Sequence, residues 1–122
     1  MRDFIIAART SIEGDAAASA TAVGRIVASE FSDPEALFYL TRHLARLSQV
    51  DFALELFQRV VGGGFFCYPA MANDPWLELV RKRPLFAELL GMAKQQHQAA
   101  AREFTRFEGH RILGIAPRAD RE

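Results

Sequence analysis

The stretch PEALFYLTRHLARLSQVDFALELFQRVVGGG, Pro34 to Gly64, decides the fold. Leu37, Leu40, Leu44 and Leu47 recur at i, i+3, i+7 and i+10, a spacing that lines one face of a helix. Asp33 precedes them with a carboxylate suited to the free N–H groups of a first turn. Pro34 then sits where a missing donor costs nothing. Glu35 adds negative charge near the positive end of the helix dipole. Ser48 to Asp51 predicts a turn. A second helix carries Phe52, Ala53, Leu56, Phe57, Val60 and Val61. It stops at Gly62-Gly63-Gly64, where positive φ is easily adopted. Two amphipathic helices with matching apolar faces make an αα-hairpin, and the flanking sequence is expected to pack on it.

Upstream, Phe4, Ile5, Ala8 and Ile12 predict an apolar stripe on a helix over Asp3 to Glu13. Gly14-Asp15 breaks it, and Asp15 can cap a second helix that runs to Glu30. That helix would bury Ala16, Ala20, Val23, Ile26 and Val27. Its run of small residues allows close approach to a neighbour, and Gly24 weakens it by about 1 kcal/mol relative to alanine. Downstream, Phe65 to Pro69 forms an aromatic linker, with one helical turn expected over Pro69 to Ala72. Asn73-Asp74-Pro75 repeats the cap-plus-proline start and opens a short helix, Trp76 to Lys82. Pro84 opens the last and longest helix, to about Phe107, with Gly109 as its stop. Phe86, Leu90, Ala93, His97, Ala100, Phe104 and Phe107 form a heptad-like seam along it. Arg111 to Ile115 makes a short apolar tail expected to dock.

The totals are those of one ordered domain. The chain has 122 residues, 50% hydrophobic and 11% aromatic, enough for a modest core. The formal net charge is +0, so no global field draws it to nucleic acid or an anionic membrane. The apolar runs are short and broken by charges, which predicts no membrane span. The N-terminus carries Asp3 and lacks a long apolar run, so it is not expected to be a signal peptide. The single cysteine, Cys67, excludes an internal disulfide and fits a reducing compartment, so a cytoplasmic location is expected.

Self-similarity accompanies the helical pattern. Phe52-Ala53 recurs 34 residues later as Phe86-Ala87, and Leu56 recurs as Leu90. Stepping back by the same interval maps the Ser48-Gln49 turn onto Gly14-Asp15 and places Val23 opposite Phe57. Three copies at this period mark an α-solenoid, in which each helix pair buries its face against its neighbours. The central stretch resembles a tetratricopeptide repeat through Leu37, Leu40, Leu44, Ala53, Phe57 and Val60. It departs from that pattern at Thr41, where a small residue is preferred, at Ser48, where glycine is, at Val60, usually alanine, and at Phe65, often proline. The segment around Gly64 to Pro69, Asp74 to Leu77 and Pro84 to Phe86 looks like one that closes repeat tracts in large bacterial proteins.

Candidate chemistry is sparse. Gly62-Gly63-Gly64 lacks the following Lys-Ser or Lys-Thr of a phosphate loop, and a helix stop accounts for it. His43, His97 and His110 lie far apart with no metal-ligand spacing, so no metal or cofactor is expected. Cys67 would be a nucleophile only beside a histidine, and its aromatic neighbours predict burial instead. Arg81-Lys82-Arg83 is expected to complement a helix C-terminus. In the resembled family, one face of the first helix of each pair lines a concave groove where peptides lie. Here that face comprises Glu35, Phe38, Arg42, Ala45 and Arg46. The resemblance implies Phe38 as an apolar anchor, with Arg42 and Arg46 reaching acidic groups or a peptide carboxylate.

These readings combine into an all-α chain of αα-hairpin repeats, a right-handed solenoid closed by a long C-terminal capping helix. A single domain is expected over 1–115: a degenerate repeat at 1–33, the best-preserved repeat at 34–67, and an interrupted repeat with its cap at 68–115. Residues 116–122 are expected to fray. The function expected is a non-catalytic scaffold that binds a protein or peptide partner. Self-assembly into a homodimer through the long last helix is the alternative, and a small Cys/His enzyme is a third.

Overall fold

The computed structural model describes residues 1–117; of the tail expected to fray, 118–122 lie outside the described residues. Among the described residues there are helices and no strand, so the chain is all-α. The elements are α1 (Arg2–Glu13), α2 (Ala16–Ala28), α3 (Pro34–Arg46), α4 (Val50–Gly62) and α5 (Tyr68–Asn73). A 3-10 turn (Pro75–Leu77) then leads into α6 (Glu78–Arg81), α7 (Pro84–Arg106) and α8 (Gly109–Leu113).

Side-chain caps set the starts. Asp15 Oδ1 accepts from the Ala18 N–H at 3.0 Å, and Asp33 Oδ1 from the Ala36 N–H at 2.9 Å. Glycine sets the end of α4, where Gly63 caps and Gly64 turns to φ 94°. α1 pairs with α2, and α3 with α4. α3 is the central element. It touches α1 and α2 on one side and the 3-10 turn and α6 on the other. α4 meets α6 and α7, α5 lies along α7, and α8 folds back on α7.

The first two hairpins share their backbone bonding at a 34-residue interval. The Asp15 N–H donates to the Thr10 carbonyl at 2.9 Å, as the Gln49 N–H does to Leu44 at 2.9 Å. The Glu30 N–H donates to Val27 at 3.2 Å, as Gly64 does to Val61 at 3.1 Å. Gly14 and Ser48 both adopt positive φ, 79° and 62°, as do Glu30 and Gly64 at 60° and 94°. Ala22, Val23 and Ile26 are buried where Leu56, Phe57 and Val60 are buried. The six positions of the central motif, Leu37 to Val60, all lie in the core.

The third copy is out of the expected register. Ala87 is exposed although Ala53 is buried, and Leu90 is only partly covered. The buried set on α7 is Phe86, Leu89 and Ala93, which follows Ala53, Leu56 and Val60 by 33 residues. Phe86 stacks on Phe57 at 4.9 Å, and this contact, not the Phe-Ala identity, fixes the register. The far end of the seam also differs. α7 has 23 residues against 13 in α4, so it outruns its partner and leaves Ala100 and Phe107 exposed.

Two further corrections concern the ends. In α1 the buried residues are Ala7, Thr10 and Ser11, while Ile5 and Ile12 face outward. The Ser19 hydroxyl donates to the Ala7 carbonyl at 3.1 Å, an approach that small residues permit and isoleucine would block. At the other end Gly109 begins α8; it is not the stop of α7. Glu108 makes the turn at φ 57°, and Gly109 is buried against the Phe104 ring, where an added Cβ would lie 2.2 Å from Cε2. The apolar tail does not dock its large residues: Ile112, Leu113 and Ile115 are exposed.

Candidate functional site

Packing on both sides of α3 leaves little of it open. Leu37, Phe38, Leu40, Thr41, Leu44 and Ala45 are buried. Glu35, Tyr39 and Arg46 are exposed and Arg42 is partly so; the four fall at i, i+4, i+7 and i+11 from Glu35, a single line along the helix. The polar face expected from the sequence is corrected at two of its five positions. Phe38 is 4% exposed and Ala45 is 0% exposed. The Phe38 ring is covered by Phe65, with centroids 5.3 Å apart, and flanked by Tyr39 at 6.3 Å. Ala45 lies inside the core of a helix that has neighbours on both sides. Tyr39, missed in the sequence, stands between Glu35 and Arg42 on the helical line that they already define.

A cleft of about 510 Å³ opens beside this line. One wall is Glu35, Phe38, Tyr39 and Arg42; the other is the linker and α5, with Phe65, Cys67 and Ala70, closed below by Asn73 to Pro75. Cys67 was expected to be buried and is exposed. The turn at Gly64 sets Phe65 and Phe66 against the core, and Cys67 then falls at the N-cap of α5, facing out. No histidine lines the cleft.

The floor of the cleft is a fixed polar clasp. The Asp74 side chain is 8% exposed, and both of its oxygens are engaged. Oδ1 accepts from the Trp76 N–H at 2.9 Å, capping the 3-10 turn, and Oδ2 accepts from Arg42 Nε. The Arg42 guanidinium also lies over the Trp76 ring, 4.5 Å from its centroid, and Arg46 lies over the same ring at 4.7 Å. Arg42 and Arg46 thus join α3 to the turn, and Arg46 stands outside the cleft lining.

His43 belongs to the same junction, its ring 6.0 Å from that of Trp76. Burial lowers its pKa from the ordinary 6.5, and the charges of Arg42 and Arg46 lower it further. Its Nδ1 is buried without a hydrogen-bond partner. In the remaining basic cluster, Arg81 and Arg83 have structural partners. Arg81 Nη2 donates to the carbonyls of Ala72 at 2.9 Å and Asp74 at 3.1 Å, closing the end of α5, and Arg83 pairs with Asp51 at 3.2 Å.

Among the described residues no three His, Cys, Asp or Glu side chains come together as a metal ion would require, and no helix is long and apolar enough to cross a membrane. No family model, curated protein or solved structure matches the chain.

Proposed function

We propose that the chain is a TPR-like helical-repeat module, non-catalytic, that binds an extended segment of a partner protein in the cleft beside α3. The 34-residue recurrence of backbone turn bonds, positive φ and buried positions supports the repeat reading, and with it a short solenoid closed by α7. The observation that carries the binding reading is the cleft itself. It is open, largely apolar, and walled by a rigid helix on one side and an aromatic linker on the other. Of the five α3 residues expected to touch a partner, Glu35, Phe38 and Arg42 line it.

The test is selection of peptides from a random display library on the immobilised protein, followed by titration with variants. Ala70→Trp fills the exposed α5 wall and should weaken selected peptides by about tenfold or more, equivalent to about 1.4 kcal/mol. Gln58→Ala, on an exposed part of α4, should leave affinity unchanged. Failure to select any peptide, or equal binding to the Ala70→Trp protein, contradicts the proposal.

Self-assembly is the second reading, favoured by one observation. The end of α7 and α8 exposes Phe107, Ile112, Leu113 and Ile115 together, with Phe107 65% accessible. Light scattering across a dilution series decides it. A dimer that Phe107→Glu converts to monomer supports the reading, and a wild-type monomer at all concentrations excludes it.

A further inference from the structure

The charge available in the cleft is acidic, opposite to what the sequence of α3 suggests. Three charged residues line it: Glu35, Arg42 and Asp74. Arg42 and Asp74 neutralise one another, and the Arg42 guanidinium is held over the Trp76 ring. Recruiting Arg42 to a ligand carboxylate would strand the Asp74 charge, which is 8% exposed and, among the described residues, has no other cation within ion-pair distance. Among the described residues, Glu35 has no cation paired with it. It is exposed, and its side-chain partner among the described residues is the Tyr39 hydroxyl, which donates to Oε1 at 3.4 Å. Lining charges of −1, +1 and −1 leave −1, localised at the N-terminal rim of α3.

We infer that the segment accepted by this cleft carries a bulky apolar side chain with an arginine or lysine a few residues away. The apolar group would lie against Phe38, Phe65 and Pro75, and the cation would pair with Glu35 beside the Tyr39 ring. An aromatic face next to a carboxylate suits a guanidinium or ammonium through both charge and quadrupole. Acidic segments meet Glu35 with like charge and find Arg42, the cation of the described lining, already bound. This inference rests on the cleft being the docking site.

Two fluorescein-labelled nonapeptides test it by anisotropy at low salt, identical except that Phe is flanked by two Arg in one and two Glu in the other. The basic peptide should bind about three- to tenfold tighter, as a rim charge affords. Glu35→Gln should shrink that ratio and Glu35→Lys should invert it, with helix content by circular dichroism unchanged in both. Equal or tighter binding of the acidic peptide, with affinity still lost in Ala70→Trp, overturns the charge assignment and leaves the cleft as the docking site. Binding of neither peptide, or binding indifferent to Ala70→Trp, overturns this inference and counts against the docking site itself.

Discussion

Asp74 joins two elements with one carboxylate, because the cap of a 3-10 turn and the partner of Arg42 fall on its two oxygens. Its neighbour His43 lies in the same junction. His43 has a pKa below 6.5 in the folded chain, so the unfolded chain binds its proton more readily. The stability due to neutral His43 is therefore complete above about pH 6.5 and declines as the pH falls below it. Urea midpoints followed by the single tryptophan, Trp76, should fall between pH 7 and pH 5 more steeply in the wild type than in His43→Gln. Parallel slopes would show that the imidazole is not held neutral by the fold.

At the scale of elements, helix ends carry most of the information. The caps at Asp15 and Asp33 were legible because each is a short-range bond between a side chain and a backbone N–H three residues on. The register of α7 was not, because it depends on the Phe57–Phe86 stack between residues far apart in the chain. The face of α3 was legible in part. Leu37, Leu40 and Leu44 follow from spacing, but Phe38 is buried because the linker lays Phe65 over it and Ala45 because α3 has neighbours on both sides, and periodicity in one helix reveals neither. Two substitutions test the element boundaries. Gly24 lies inside α2 where an added Cβ meets nothing, so Gly24→Ala should stabilise by about 0.5–1 kcal/mol. Ser48 holds φ 62° at the α3–α4 turn, where its counterpart Gly14 is glycine, so Ser48→Gly should stabilise by about 1 kcal/mol. A lowered thermal midpoint in either variant would contradict the corresponding assignment.

At the scale of the molecule, one continuous core runs from α1 to α7, and Phe57 is at its centre, fully buried against Phe86. Phe57→Ala should cost about 3–5 kcal/mol, most of the stability of a small domain, and α7 should lose its attachment to α4. Chemical denaturation with helix content as readout checks this, and a loss under about 1 kcal/mol would mean that α4 and α7 are held together elsewhere. The cleft was beyond the reach of sequence reasoning for a related reason. Its two walls, α3 and the segment from Phe65 to Pro75, are brought together by the turn at Gly64 and the clasp at Asp74. The sequence pointed to the α3 wall, and the second wall appeared only once the linker had a place in space.

Cys67 offers the most direct measurement, since it is the only cysteine, is exposed, and lies on the wall facing α3. The rate of its alkylation by a small thiol reagent should fall several-fold when the protein is saturated with a bound basic-aromatic peptide, and should recover in Ala70→Trp at the same peptide concentration. An alkylation rate that is unchanged while the peptide is bound would place the partner elsewhere and contradict the docking cleft.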